Sequence, residues 1–208
     1  MPFKPNEREY RALVMPLGTA DQNKRFDTEY YAEGMATTFG KPYVLWEYDG
    51  IKYLEVIDRH ALDNADMNDV IFQFDHRGKV LARQSNKTLE LEPTDKGLFI
   101  YADLSKSQAA KEMHEEIKNG LVTKMSWAFT VSEDSYNKDT RTRTILKIKK
   151  VYDVSAVSIP ADSSTDISAR SYAEGRSEAE KQELLERRKR VLKILLNMEV
   201  TNEQVARN

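Results

Sequence analysis

Three polar side chains on separate apolar segments are of the types that together can cut an amide bond: Ser126, His76 and Asp153. A serine hydroxyl is a weak nucleophile until a neighbouring base takes its proton, and a histidine can take that proton and then give it to the leaving amine. A carboxylate can hold the histidine in the required tautomer and stabilise the imidazolium that forms. The residue types alone leave this site a hypothesis, because no G-x-S-x-G turn surrounds any serine of the chain.

The pattern around each of the three residues predicts a β-strand. Residues 70–76 alternate with Val70, Phe72 and Phe74 on one face, and His76 ends the run on that same face. The following Arg77-Gly78 changes the chain direction, so the imidazole is expected at the rim of a sheet. Ser126 lies in a strand predicted over residues 122–131, on the face opposite the bulky side chains.

Asp153 lies in a strand predicted over residues 148–159 and is expected to share a face with Val151 and Val157. Aspartate is depleted in strands, and burying an unpaired carboxylate costs several kcal/mol, so Asp153 needs a partner. A histidine N–H would serve, and a salt bridge to Lys149 or Arg143 would serve equally well. Arg141 and Arg143 are further candidates for an electrostatic role near the sheet.

Each of these side chains also has a purely structural interpretation. A histidine at a strand end can be satisfied by its surroundings, and a serine on a sheet face can be a tolerated small residue. His114 lies on the polar face of a predicted helix, where it is expected to be solvated. His60 adjoins four acidic residues, which are Asp58, Asp63, Asp66 and Asp69. Their spacing fits neither an EF-hand loop nor a zinc motif, so a solvated acidic loop without metal is expected.

Composition limits the function classes that fit. Lys and Arg number 32 against 34 Asp and Glu, so no overall positive charge favours a nucleic acid partner. No apolar run is long enough for a membrane span, and the first residues lack the apolar core of an export signal. The absence of cysteine excludes disulfides and thiolate metal sites. A cytoplasmic protein without cofactor, nucleic acid or membrane is therefore expected.

The chain changes character near residue 170. Short predicted strands dominate up to about residue 167, with one internal helix whose capping box is Ser105 to Gln108 and whose stop is Asn119-Gly120. A hairpin is predicted between residues 88–91 and 98–104. Residues 177–200 have the periodicity of an amphipathic helix. The predicted domains are residues 1–168 and a helical tail of residues 169–208.

Several blocks of the chain, together covering about residues 11–167, resemble the prohead (capsid maturation) serine proteases of tailed phages. In chain order they are Val70-Ile-Phe-Gln-Phe-Asp-His76, Val80-Leu-Ala-Arg83, Leu89-Glu-Leu-Glu-Pro-Thr-Asp-Lys-Gly-Leu98, Gly120-Leu-Val-Thr-Lys-Met-Ser-Trp-Ala-Phe129 and Val151-Tyr-Asp-Val-Ser-Ala-Val-Ser-Ile-Pro-Ala161. The order of the blocks makes the resemblance specific, although each block alone would not be. Asp153 stands where the family usually has glutamate, and Ala82 and Ala128 stand where it usually has glycine.

The resemblance implies a fold and a set of roles. The implied fold is α+β: a mostly antiparallel β-barrel with surrounding helices, related to herpesvirus assemblin, followed by a C-terminal amphipathic helix. Ser126 would be the nucleophile, His76 the general base, and Asp153 the third catalytic residue with a shorter reach than glutamate. The implied activity is cleavage of scaffold, or of the scaffold segment of the major capsid protein, and of the protease itself.

The resemblance also implies a place of action and partners. The protein would work in the host cytoplasm inside the immature capsid, as a homo-oligomer, with the major capsid protein, and with scaffold or portal as further candidate partners. The tail would be a removable, scaffold-binding segment. The alternative is a catalytically inactive scaffolding protein that assembles capsids through its helical tail, with Ser126 and His76 purely structural.

Overall fold

The computed structural model describes residues 7–19, 24–48, 50–158 and 167–206, which form ten strands and two helices. The strands are β1 (Arg8–Gly18), β2 (Tyr31–Thr38), β3 (Tyr43–Tyr48), β4 (Ile51–Ile57), β5 (Ile71–Phe74), β6 (Arg77–Arg83), β7 (Leu89–Pro93), β8 (Gly97–Asp103), β9 (Lys124–Asn137) and β10 (Thr142–Val157). The helices are α1 (Gln108–Lys118) and α2 (Ile167–Ala206).

The strands pair in the order β3-β4-β10-β9-β1-β2-β8-β7, and the β5–β6 hairpin is attached to β10 through β5. All pairs are antiparallel except those of β10 with β4 and with β5. The predicted α+β class and the largely antiparallel sheet are therefore confirmed. The predicted closed barrel is not found among the described residues, because β3 and β7 each have only their hairpin neighbour as a partner and the path stays open.

The β9–β10 hairpin forms the centre of the sheet and has a different environment on each face. Trp127 and Phe129 point to one face, where they join a single apolar core with Phe72 and Val154. Such a continuous cluster supplies most of the favourable free energy of folding, because apolar surface removed from water contributes roughly 25 cal/mol per Å². Ser126 and the residues at even spacing from it lie on the opposite face.

Helix α1 confirms the predicted internal helix, with a different start. Its N-cap is Ser107, whose hydroxyl accepts from the amide of Ala110 at 3.1 Å, so the cap lies two residues after the predicted Ser105. Asn119 is the C-cap, and Gly120 has a φ of +72°, the left-handed conformation that ends many helices. The predicted hairpin is also confirmed, as β7 and β8.

The described residues fall into two compact units, one up to Arg170 and one from Ser171 onward. Helix α2 begins about ten residues before the predicted amphipathic segment and extends six residues beyond it. Between residues 184 and 195 it carries apolar side chains that are 45–59% exposed: Leu184, Leu185, Val191, Leu192, Ile194 and Leu195. No described helix has both the length and the apolar character that crossing a bilayer requires.

Candidate active site

His76 lies in a tight turn and not at the end of a strand. Strand β5 ends at Phe74, which pairs with Arg77 of β6, so Asp75 and His76 are the two loop residues of the hairpin. Both have left-handed backbone angles, with φ of +46° and +57°. Two-residue hairpin loops of the type I′ class require positive φ at both positions, and aspartate and histidine are among the non-glycine residues that tolerate it best. The predicted strand therefore ended two residues too late.

Contacts to the end of β10 hold this turn. The amide of Asp75 donates to the carbonyl of Ala156 at 2.9 Å, and the Asp75 carboxylate accepts from both the amide and the hydroxyl of Ser158, at 3.1 and 3.0 Å. Each positive-φ residue costs of order 1 kcal/mol and persists only where the surroundings stabilise it. These three hydrogen bonds stabilise the positive-φ conformation of the turn, and they fix the backbone from which the imidazole projects.

Ser126 lies at the centre of the sheet, between two paired strands. Its partner on β1 is Ala12 and its partner on β10 is Ser155. The side chains of its neighbours Met125 and Trp127 belong to the apolar core, so the alternation of the strand turns Ser126 to the other face, as predicted. Only 2% of Ser126 is exposed.

Asp153 reaches the same face through a β-bulge. The register between β9 and β10 shifts between Val151 and Asp153, and one extra residue on β10 reverses the alternation at that point. Val151 is therefore in the apolar core, while Asp153 faces the side of Ser126. The prediction that Asp153 and Val151 share a face is wrong, because the bulge reverses the alternation between them. The sequence of a single strand does not reveal such a bulge.

The structure brings the three predicted residues into one hydrogen-bonded series. The Nε2 atom of His76 is 2.6 Å from the Oγ of Ser126, and its Nδ1 is 2.5 Å from the Oδ1 of Asp153. Because a carboxylate only accepts, Nδ1 carries the proton and donates it, which leaves Nε2 as an acceptor for the Ser126 hydroxyl. This is the geometry in which a serine can be deprotonated as it attacks.

Two further residues, which the sequence patterns did not single out, surround the histidine. The Ser155 hydroxyl donates to the Oδ1 of Asp153 at 2.9 Å and lies 3.2 Å from the Nδ1 of His76. The Tyr10 ring meets the imidazole edge to face, with centroids 4.9 Å apart. The spacing of Ser155, two residues after Asp153 on one strand, was the available signal, because residues two apart share a face.

The Ser126 hydroxyl has a second acceptor within reach. The backbone carbonyl of Arg11 on β1 lies 3.0 Å from its Oγ. A hydroxyl has one hydrogen, so it bonds either to this carbonyl or to the nearer Nε2 of His76. The site therefore offers a resting position for the hydroxyl beside the reactive one.

The charged residues proposed as alternative partners of Asp153 have other partners. Arg143 is fully buried and pairs with Glu9, Glu55 and Asp134, at 2.7, 3.0 and 2.5 Å. Arg11 completes this buried cluster, with its Nε 2.6 Å from Glu55. Burial alone would raise the pKa of Glu55, but the Arg11 and Arg143 charges overcome burial and lower it to about 2. Arg143 belongs to this network and does not form the alternative salt bridge to Asp153.

The other two histidines lie away from the three-residue series. His114 is 4% exposed and packs edge to face on Tyr30, so the expected solvated position is wrong. Burial lowers its pKa. His60 is exposed and its Nδ1 lies 3.0 Å from Asp63.

Two of the four acidic residues near His60 are paired with cations. Asp66 pairs with Lys150 at 2.6 Å, and Asp69 accepts from the Nε of Arg83 at 2.7 Å. The hydrogen bond from Lys150 lowers the pKa of Asp66. In the ranges that the structure describes, no three histidine or carboxylate side chains converge as a metal site would require.

A buried serine, the imidazole beside it and the carboxylate behind the imidazole together define the arrangement of a serine hydrolase. The sequence matches the family described as Caudovirus prohead serine protease over residues 19–178, and the chain belongs to that family. Searches of curated proteins and of solved structures found no match. The matched segment includes all three residues of the series.

Proposed function

We propose that this protein is the serine endopeptidase that cleaves the scaffold, or the scaffold segment of the major capsid protein, while the immature phage capsid matures. Ser126 is the nucleophile, His76 the general base and acid, and Asp153 the residue that orients and stabilises the histidine. The proposal places the enzyme inside the prohead, in the host cytoplasm. Family membership supports the class of activity, and the site geometry supports the residue roles.

The hydrogen-bonded series Asp153–His76–Ser126 is the observation that carries the proposal. An inactive scaffolding relative would need no such alignment, and separation of Ser126 from His76 by the width of the sheet would have excluded catalysis by this pair. The Oγ of Ser126 and the Nε2 of His76 are instead 2.6 Å apart, within the range that proton transfer requires. The histidine is also reachable, because 15% of its side chain is exposed.

The first half of the reaction makes an acyl-enzyme. Ser126 Oγ attacks the scissile carbonyl carbon as its proton passes to Nε2 of His76, and the carbonyl oxygen takes the negative charge of the tetrahedral intermediate. Asp153 then lies against an imidazolium, which its carboxylate stabilises. The C–N bond breaks when Nε2 gives that proton to the leaving amine, and the acyl group remains on Ser126.

The second half repeats the same proton movements with water. His76 takes a proton from water as its oxygen attacks the acyl carbon, and the second tetrahedral intermediate expels Ser126 Oγ. Nε2 returns the proton to that oxygen. One water is consumed, an acid and an amine are released, and the enzyme returns to its starting protonation state without a cofactor.

The helical tail is proposed as a removable segment that binds scaffold. Its support is the set of exposed apolar side chains on α2, because such side chains favour contact with a partner. Self-cleavage near residue 170 would fall in the first turn of α2, which must open first because a protease binds an extended strand. The portal, a separate scaffold and further copies of this chain are the other proposed partners.

The test is to follow the intact mass of the full chain with its cognate capsid protein, beside Ser126→Ala and Ser132→Ala. Ser132 lies on the same strand, and its exposed hydroxyl bonds only the carbonyl of Lys147 among the described residues. We expect the capsid protein and the chain itself to be cut by wild type and Ser132→Ala, and left whole by Ser126→Ala. Equal masses for wild type and Ser126→Ala would refute the proposal in favour of an inactive scaffolding protein.

The relation to herpesvirus assemblin, with its closed barrel, also remains a proposal. It rests on the family resemblance and on a largely antiparallel sheet that holds the serine and the carboxylate on paired strands. An experimental structure in which the path from β3 to β7 closes on itself would support it, and an open path would argue against it.

A further inference from the structure

A cavity of about 340 Å³ adjoins the acid end of the candidate active site. It is lined from three elements: Arg8 of β1, Ile71 and Gln73 of β5, and the β10 segment from Lys150 to Asp153. Asn68 and Asp69, from the loop before β5, complete the wall. Because Asp153 belongs both to this wall and to the hydrogen-bonded series, whatever fills the cavity lies beside the reacting groups.

Strand pairing sets how far the cavity extends from Ser126. Ser126 is paired with Ala12 and Ser155, whereas Thr130, four residues along β9, is paired with Arg8 and Lys150. Four residues of strand span roughly 13 Å, and residues two apart share a face. A substrate lying extended along this face would therefore place a side chain in the cavity within about four residues of the scissile bond.

The charges that line the cavity are paired, with one exception. Lys150 pairs with Asp66 at 2.6 Å, Asp69 with Arg83, and Asp153 with His76. The guanidinium of Arg8 stacks on the ring of Tyr152, 3.8 Å from its centroid, and no acidic side chain among the described residues pairs with it. The Arg8 guanidinium is therefore the charged group of the cavity wall that can pair with an anionic ligand.

Gln73 adds a side-chain amide with unused hydrogen-bonding capacity to the wall of the cavity. Gln73 is only 8% exposed, and its side-chain amide makes no hydrogen bond with any other described residue. The amide atoms are not fully enclosed, so water reaches them, and a ligand in the cavity would hydrogen-bond to them in place of that water. Gln73 also lies opposite Ser155 in the parallel β5–β10 pairing, next to the carboxylate–histidine pair.

The unused groups of the cavity are mostly donors. Arg8 has five N–H groups, Lys150 has two beyond the one bonded to Asp66, and Gln73 and Asn68 each have an amide NH₂. The acceptors are already engaged, Asp69 by Arg83 and Asp153 by the Nδ1–H of His76. A carboxylate accepts from all of these donors and is the natural partner of a guanidinium. A lysine or arginine side chain would face the cations Arg8 and Lys150 instead.

We propose that this cavity is a specificity subsite that binds an acidic side chain of the substrate, with Arg8 as its determinant, Tyr152 as the platform for the guanidinium and Gln73 as an added donor. The proposal rests on the proposed function, since it assigns the substrate class of the same site. A peptide C-terminus carries the same chemical group, so a side-chain carboxylate and a chain-end carboxylate must be separated by experiment.

The test uses the full chain and a peptide library with both termini blocked, with cut sites read by mass spectrometry. We expect Asp or Glu to be enriched at one position within about four residues of the cut. Replacing that Glu by Gln in the best peptide should lower kcat/KM about tenfold or more. The same library with free C-termini tests the other source, because a gain confined to cuts near the chain end would assign the cavity to a terminal carboxylate and overturn the side-chain proposal.

Variants of Arg8 then test the assignment. Arg8→Ala should remove most of the Glu-to-Gln difference, Arg8→Lys should keep part of it, and Arg8→Glu should reverse the preference towards Lys or Arg. A reversed preference cannot arise from misfolding. Lys52→Ala removes an exposed cation on β4 and should change nothing. Where only the capsid protein is cut, the acidic residue nearest its cut site is replaced by its amide and compared in the same way.

The outcomes separate this proposal from the proposed function. Cleavage that depends on Ser126 without an acidic preference, or with a preference that Arg8→Ala leaves unchanged, overturns the subsite and leaves the protease. The absence of Ser126-dependent cleavage of both peptides and capsid protein overturns the proposed function and the subsite with it.

Discussion

Replacing Asp153 by asparagine tests the proposed catalytic series with the least change in shape. The Oδ1 of Asp153 accepts from Nδ1 of His76 at 2.5 Å and from the Ser155 hydroxyl at 2.9 Å. Asparagine keeps the size of the side chain but removes the charge. Its amide can also turn NH₂ towards Nδ1, which would move the histidine proton to Nε2 and leave Ser126 without a base.

The expected loss follows from the charge and the distance. Imidazolium and carboxylate charges whose centres lie about 4 Å apart interact by about 4 kcal/mol at an effective dielectric constant of about 20. This stabilisation exists only when the histidine is protonated, as it is in the transition state. At about 1.4 kcal/mol per factor of ten, Asp153→Asn should lower kcat by about 10³-fold, and the wrong tautomer would lower it further.

The assay is the rate of capsid protein cleavage at saturating substrate, read as product mass over time. Ser155→Ala removes one of the two donors to the same carboxylate and should give an intermediate loss of about tenfold. Ser132→Ala, whose exposed hydroxyl bonds the carbonyl of Lys147 six residues along β9 from Ser126, should retain the wild-type rate. An Asp153→Asn enzyme within about tenfold of the wild-type rate would show that the carboxylate does not stabilise the imidazolium, and the assigned role would be wrong.

Two stability predictions follow from buried ionisable groups, both measured as urea unfolding of the Ser126→Ala chain. The pKa of Glu55 is lowered from 4.5 to about 2, so its stabilising effect is present above pH 4.5 and is lost as the pH falls towards 2. Glu55→Gln should remove that pH dependence and cost about 3–5 kcal/mol at pH 7, and an unchanged slope would contradict this. Burial lowers the pKa of His114, so unfolding takes up a proton below pH 6.5 and stability falls there. His114→Leu should therefore stabilise the protein more at pH 5 than at pH 8, and equal effects at the two values would refute the assignment.

The strands that carry the site could be predicted from alternation, but the side-chain directions could not. Alternation placed His76 at the end of a strand and Asp153 beside Val151. The structure puts His76 in a turn with positive φ and inserts a bulge before Asp153. Both features depend on long-range partners: the turn is held by Ser158, and the bulge is defined only against β9. The sequence of a single strand therefore reveals neither the turn nor the bulge.

The buried charge cluster could not be predicted from the sequence for a related reason. Glu9, Arg11, Glu55 and Arg143 lie on three different strands, and each one alone is indistinguishable from a solvated surface residue. Charged side chains are rarely fully buried unless they are paired, and the pairs between these strands join residues 44 to 134 positions apart. The helix α1 was predictable because its signals are local: a capping serine, apolar residues at helical spacing and an Asn-Gly stop.

Strand β1 connects the buried charges to the candidate nucleophile. The Arg11 side chain is fixed on the core side by Glu9 and Glu55, while its backbone carbonyl lies 3.0 Å from Ser126 Oγ. A shift of β1 would therefore move the second acceptor of the hydroxyl, and with it the balance between the resting and reactive positions. A charge cluster is a suitable anchor, because each member pairs with at least two others and removing one leaves the buried charges unbalanced. The network thus stabilises the register of β1 against β9, on which the surroundings of Ser126 depend.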